Sequence, residues 1–189
     1  VHLFLPEKLT SAYLHIYIMI SKTQYFYSIR RNTMVIIELE NGGKIELELY
    51  PEFAPITVKN FEKLVKDGFY DGLGFHRVIP GFMIQGGDPL GNGMGGSDEN
   101  IVGEFAANGH NNPIKHTRGV ISMARAYNPN SASSQFFIMH ADAPHLDGQY
   151  AAFGKVVSGI EVVDEIASIP TDYNDRPKIA VRIKKAYIV

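Results

Sequence analysis

The sequence predicts a mainly β protein, an antiparallel barrel or sandwich with helices at its ends. Three observations carry that prediction. Short apolar runs (FHRVI, GFMIQ, GVISMA, SQFFIMH, AAFGKVV) are separated by glycine-rich loops. Only two segments show helical spacing of apolar residues. The repeated strand–helix alternation of a parallel sheet is missing.

The elements follow in chain order. VIIELE, then NGG, then KIELELY reads as two strands around a tight turn, Asn41-Gly42 supplying the positive backbone dihedrals. In the second strand Ile45, Leu47 and Leu49 alternate with Glu46 and Glu48, so one face is buried and the other solvated. Pro51 and Pro55 stop the sheet, and Pro55 can open a helix, where its missing N–H is not needed. TVKNFEKLVKDG then places Val58, Phe61, Leu64 and Val65 on one helical face, with Gly68 as the stop. The strand runs come next. A second helix is predicted over Ile160–Ile169, from the spacing of Val162, Val163, Ile166 and Ile169, ended by Pro170. KIAVRIKKAYIV alternates again and reads as a closing strand.

Composition narrows the function classes. The chain has 189 residues, 45% apolar and 20% charged, with a net charge of −2. Collagen, a disordered tail and a nucleic-acid binder working by bulk charge are excluded. With no cysteine there is no disulfide framework, no thiolate nucleophile and no Cys-ligated zinc. The 18 glycines all lie after Asn41. Residues 1–33 hold none, together with six aromatics and a charge of +3, whereas residues 34–189 carry 14 basic and 19 acidic groups, or −5. One domain over 34–189 with an N-terminal extension over 1–33 is expected. AYLHIYIMI (Ala12–Ile20) is too short to span a bilayer. No small-residue cleavage site follows it. The extension reads as having no catalytic role, ahead of a targeting or membrane role or simple packing.

Four constellations bear on chemistry. GNGMGG (Gly91, Gly93, Gly96) matches a dinucleotide pattern, but SDENIVGEF after it has no helical periodicity, so a turned loop is the better reading. The pairs His110/His116 and His140/His145 lack the spacing of a zinc helix, and Pro113 and Pro144 interrupt them. Ser131, Ser133 and Ser134 have no nucleophile elbow around them and read as a turn. FHRVIPGFMIQGGD (Phe75–Asp88) differs: it sets a lone cation, Arg77, in an apolar run. A guanidinium there is paired or functional, because burying it alone is costly. Arg77 and Ile79 share one strand face, and Gln135 and Phe137 take alternate positions on another strand. Taken singly, each Phe and Met of these runs is more simply explained as core.

The segments Phe75–Asp88, Ser122–His140 and LDGQYAAFGKVVSG (Leu146–Gly159) closely resemble the cyclophilins, the peptidyl-prolyl cis–trans isomerases, most of all their small bacterial members. The likeness runs in order over 34–189. It implies a closed eight-stranded antiparallel β-barrel capped by two α-helices. It also implies catalytic roles for Arg77, Phe82 and Gln85. Substrate binding falls to Met83, Gly93, Ala124, Arg125, Ala126, Gln135, Phe137, His145, Leu146 and Tyr150. No metal or cofactor is implied. The implied partners are proline-containing peptides and folding proteins, with no nucleic acid and no membrane. Three positions depart from the well-known eukaryotic pattern. Arg125 replaces asparagine, Tyr150 replaces histidine, and His145 replaces the tryptophan that helps bind cyclosporin, so weak cyclosporin binding is implied. No sustained heptad argues for assembly, and a cytoplasmic monomer is expected. The competing reading is a proline-peptide-binding or chaperone module with little turnover.

Overall fold

The computed structural model describes residues 33–189; residues 1–32, on which the expectations for the extension fall, lie outside the described residues. The elements are β1 (Met34–Leu39), β2 (Lys44–Leu49), α1 (Pro55–Lys66), β3 (Arg77–Ile79), β4 (Met83–Gly86), β5 (Val120–Met123), β6 (Phe136–Met139), β7 (Ala152–Ser158), α2 (Ile160–Ala167) and β8 (Ile183–Ile188). Single 3₁₀ turns stand at Ala106–Asn108 and Pro144–Leu146. No helix among the described residues is long and apolar enough to cross a membrane.

All strands pair antiparallel, in the spatial order β3-β4-β6-β5-β7-β2-β1-β8. In the β1–β2 hairpin the Leu39 N–H donates to the Gly43 carbonyl at 2.8 Å. Gly42 has a φ of 88°, while Asn41 keeps an ordinary negative φ. The tight turn is a loop of three residues, Glu40–Gly42, in which Gly42 alone supplies the positive dihedral expected of Asn41-Gly42.

Helix α1 starts at Pro55 without a side-chain cap from its own N-cap residue, Ala54. Its free N–H groups go instead to Glu104, a buried loop carboxylate. Ile56 donates at 3.0 Å and Thr57 at 2.8 Å, and the Thr57 hydroxyl adds a third bond at 2.7 Å. The negative charge also meets the positive end of the helix dipole. Helix α2 begins after Gly159, whose φ is 82° and where a Cβ would overlap the Lys44 carbonyl oxygen. It ends at Ala167, two residues before the predicted end, the chain tightening through Ile169 N–H to the Ile166 carbonyl at 3.2 Å.

The expected closed barrel is corrected to an open eight-stranded half-barrel, with β3 and β8 as its ends. One isolated bridge, Gly74 opposite Arg182, and bonds from Gly72 to Ile183 and from Phe75 to Val181 join the ends at one corner. No ladder runs between them. β3 has only three residues, and its outer N–H, on Val78, donates to the Asp175 carbonyl at 2.8 Å. A loop therefore occupies the edge that β8 would need.

The sheet is covered on both faces. Val35, Ile37, Leu47, Val78, Ile84, Ile121, Phe136, Ile138 and Phe153 face the inner core, with α1 and α2 packed on it. Met83, Val120, Phe137, Met139, Leu146 and Ala152 form a second apolar cluster on the outer face, beneath the loops. That second cluster is the base of the candidate site.

Candidate active site

Alternation along β3 sends Val78 into the core and leaves Arg77 and Ile79 on the outer face. Strand register then lines up a row. Arg77 lies opposite Gln85, Gln85 opposite Phe137, and Phe137 opposite Ser122, across β3, β4, β6 and β5. Cross-strand neighbours on one face touch. A strong donor therefore stands beside an amide, and the amide beside an aromatic ring.

Loops build the walls. The β3–β4 loop carries Phe82, whose carbonyl accepts from the His140 N–H at 2.9 Å, while the Gly81 N–H donates to His140 Nδ1 at 2.8 Å. That bond leaves the proton on Nε2, 3.2 Å from Asp164 Oδ1. Leu146 sits in the Pro144–Leu146 turn. Phe137 is held between His116, stacked at 6.1 Å, and Tyr150, edge-on at 5.8 Å.

Polar groups hold the glycine loop. Gln85 donates to Gln135 Oε1 at 2.8 Å, and Gln135 donates to the carbonyls of Gly93 at 3.1 Å and Gly95 at 2.7 Å. The buried Asp88 carboxylate accepts from Leu90, Asn92 and Gly93. Burial pushes its carboxyl up, but those three N–H groups outweigh burial and hold it below the usual range. Arg125 lies over the rings of Tyr150 (4.7 Å) and Phe105 (5.1 Å) and donates to the carbonyl oxygens of Gln149, Ala126 and Tyr127.

These groups surround an open cleft of about 750 Å³ lined by ten of the sequence-predicted residues: Arg77, Phe82, Met83, Gln85, Gly93, Ala124, Arg125, Phe137, Leu146 and Tyr150. Ala126 and Gln135 line an adjoining cleft of about 410 Å³, which shares Gln85, Gly93, Ala124 and Arg125 with the first. His145 lines neither; it is exposed and stacked on Phe82, with centroids 5.7 Å apart. The cleft also takes His76, Asn92, Asn174 and Arg176, which sequence reasoning missed. His76 was visible as the neighbour of Arg77 in the motif. Asn174 and Arg176 had no such signal, because only the β3 edge brings their loop to the cleft.

The site has no exposed nucleophile arrangement. Asp147, His116 and Ser122 have the order of a triad, with His116 Nδ1 3.2 Å from Asp147 and Nε2 3.1 Å from Ser122 Oγ. Ser122 is fully buried behind Phe137, where no carbonyl of a peptide reaches it. Ser131 and Ser134 spend their hydroxyls on the carbonyls of Asn128 and Gly87, as turn residues do. The Gly91–Gly96 loop leads into no helix. What the cleft offers is an apolar socket next to the Nη groups of Arg77, which make no hydrogen bond among the described residues. Its Nε is 3.4 Å from Asp175.

Comparison with known proteins points the same way. The family model "Cyclophilin type peptidyl-prolyl cis-trans isomerase/CLD" matches residues 34–188. The chain is 49% identical over 155 residues to the peptidyl-prolyl cis-trans isomerase ppi1 of Schizosaccharomyces pombe, covering 81% of this chain and 98% of the relative. It is 53% identical over 130 residues to peptidyl-prolyl cis-trans isomerase B of Bacillus subtilis, covering 69% and 87%. A crystal structure of a Cryptosporidium parvum cyclophilin type isomerase, in the presence of the dipeptide Ala-Pro, superposes with a TM-score of 0.76 at 35% identity, covering 82% of this chain and 98% of that one.

Proposed function

The chain belongs to the cyclophilin-type peptidyl-prolyl cis–trans isomerases, and on that premise we propose that its cleft seats an X-Pro segment with the proline ring against Phe82, Met83, Phe137 and Leu146. The protein accelerates rotation about X-Pro bonds and so assists folding. The reaction breaks no bond. Amide resonance sets a barrier of about 18–20 kcal/mol. Uncatalysed X-Pro exchange takes roughly tens to hundreds of seconds.

Twisting the amide returns a lone pair to the proline nitrogen. Arg77 is permanently charged and has free Nη donors at the socket, so it donates to that nitrogen. A planar amide nitrogen accepts poorly, so the bond forms mainly at the transition state and lowers the barrier. Gln85 and the backbone around Ala124–Ala126 hold the flanking peptide. Gln135 supports the site indirectly, by fixing Gln85 and the Gly93–Gly95 carbonyls. The observation that carries this reading is the row Arg77–Gln85–Phe137 on one sheet face, with the Arg77 Nη groups unspent.

Exchange NMR on a proline peptide tests it. Arg77→Ala should slow catalysed exchange by about 100-fold, the size typical of losing one transition-state donor. Arg77→Lys should also be poor, because the planar fork is gone. Wild-type exchange by Arg77→Ala would remove Arg77 from the mechanism. Peptide affinity from the same spectra separates turnover from mere binding.

A further inference from the structure

The domain over residues 34–189 carries a net charge of −5. Its cleft has the opposite character, with Arg77, Arg125 and Arg176 all on its lining. Few carboxylates compensate them. Asp88 is buried and occupied by three N–H groups of its own loop. Asp175 pairs with Arg77 through Nε. Arg125 binds carbonyl oxygens and aromatic faces, and no carboxylate among the described residues.

Arg176 is the informative one. Its side chain is exposed at the cleft and makes no hydrogen bond or ion pair among the described residues. Its backbone is fixed on both sides. The Arg176 N–H donates to Asp172 Oδ1 at 3.0 Å, and its carbonyl accepts from the Asp172 N–H at 2.9 Å. Asp172 Oδ1 also accepts from Asn174 at 2.8 Å, so that oxygen is committed to the loop backbone, and the carboxylate meets the Arg176 charge only through space. Thr171 bridges Pro177, and Asp175 ties the loop to Val78. An exposed cation on a built loop at the cleft, its guanidinium without a hydrogen bond or ion pair among the described residues, suits a charge brought by the substrate.

Resting on the isomerase reading above, we propose that the cleft selects acidic proline segments, with Arg176 meeting an Asp or Glu side chain that flanks the X-Pro bond. A charge pair of this exposure is worth about a two- to fivefold preference at low ionic strength. Salt should remove most of it, since the screening length falls to about 3 Å at 1 M.

The test uses four proline peptides that differ only in Glu or Gln, placed two residues before or two residues after the proline. Exchange NMR on the full chain gives kcat/KM for each. The expected result is a Glu:Gln ratio of about two to five for at least one position in low salt. That ratio should fall to about one in 1 M salt and in Arg176→Gln, and persist in part in Arg176→Lys. Ratios near one at both positions, or a preference that survives Arg176→Gln, would overturn the assignment. Turnover of the Gln peptides by the wild-type chain reports on the isomerase reading separately, whichever way the ratio falls.

Discussion

Asp175 Oδ2 stands 3.4 Å from Arg77 Nε, on a loop residue with a φ of 63°, the one positive φ outside glycine among the described residues. The left-handed conformation costs a non-glycine residue roughly 1–2 kcal/mol. Asp175 keeps it because its carbonyl accepts from Val78 and its carboxylate meets the guanidinium. The pair engages Nε of Arg77, and the Nη groups keep no hydrogen-bond partner among the described residues. Asp175→Gly should therefore hold or raise thermal stability while lowering kcat by about two- to fivefold, with KM little changed. Asp175→Glu should recover part of kcat. Unaltered kcat in Asp175→Gly would mean that Arg77 orients without its partner.

Glu104 reaches helix α1 from a loop far along the chain and takes three donors at its first turn. Glu104→Ala leaves the buried Thr57 N–H and hydroxyl without partners. The expected loss is about 2–3 kcal/mol, a lost cap plus unsatisfied buried groups. Urea unfolding should show it as a lower midpoint with an unchanged slope. Activity at low temperature should survive, since α1 packs on the inner core, away from the cleft. A stability change under about 0.5 kcal/mol would mean that water replaces the carboxylate.

What the sequence shows depends on how each element is covered. β2 reads clearly because Ile45, Leu47 and Leu49 are buried while Glu46 and Glu48 are not. β6 does not alternate, because Phe136 and Ile138 fill the inner core and Phe137 and Met139 the outer cluster. Its strand is legible and its two faces are not. Arg77 announced itself as a charge in an apolar run, and its motif brought Phe82, Met83 and Gln85 with it. Asn174 and Arg176 stayed hidden, since nothing local says that the loop after α2 covers the edge of β3. The same edge contact is why the barrel stays open, and apolar patterning carries no record of it. Gln135 was readable as a site residue, but its work of tying Gln85 to the glycine loop needed coordinates.

His145 lies over Phe82 at 5.7 Å, exposed, where the resemblance places tryptophan in cyclosporin-binding relatives. An imidazole presents less apolar surface there than an indole. His145→Trp should tighten cyclosporin inhibition by about two- to tenfold, the size of an added aromatic contact. Turnover of a short proline peptide should change much less, because His145 lines neither cleft. Inhibition constants for the two proteins, measured side by side, decide it. Equal constants would mean that the drug does not use this position.

Two buried imidazoles give the protein an acid-sensitive stability. Burial pulls the pKa of His76 down, against the pull of Asp88. Burial also pulls His116 down, partly offset by Asp147. The unfolded chain takes protons on both near pH 6.5, before the folded protein does. Unfolding then binds protons, so stability rises with pH across this window. The contribution is complete above about pH 6.5 and shrinks as pH falls toward the lowered folded values. A second loss starts lower. Asp164 is held below the carboxylate range by its bond from Arg118. In Asp88 and Asp147 burial pushes upward but is outweighed, by loop N–H groups in one and by His116 and Lys115 in the other. Their stabilisation is complete above the unfolded value near 3.9 and disappears as pH falls through the folded values. Denaturant midpoints measured from pH 7.5 down to 3 should fall in these two stages. NMR titration should place both ring pKa values below 6.5. A flat midpoint between pH 7 and 5, or either ring titrating above that value, would refute the buried-neutral assignment.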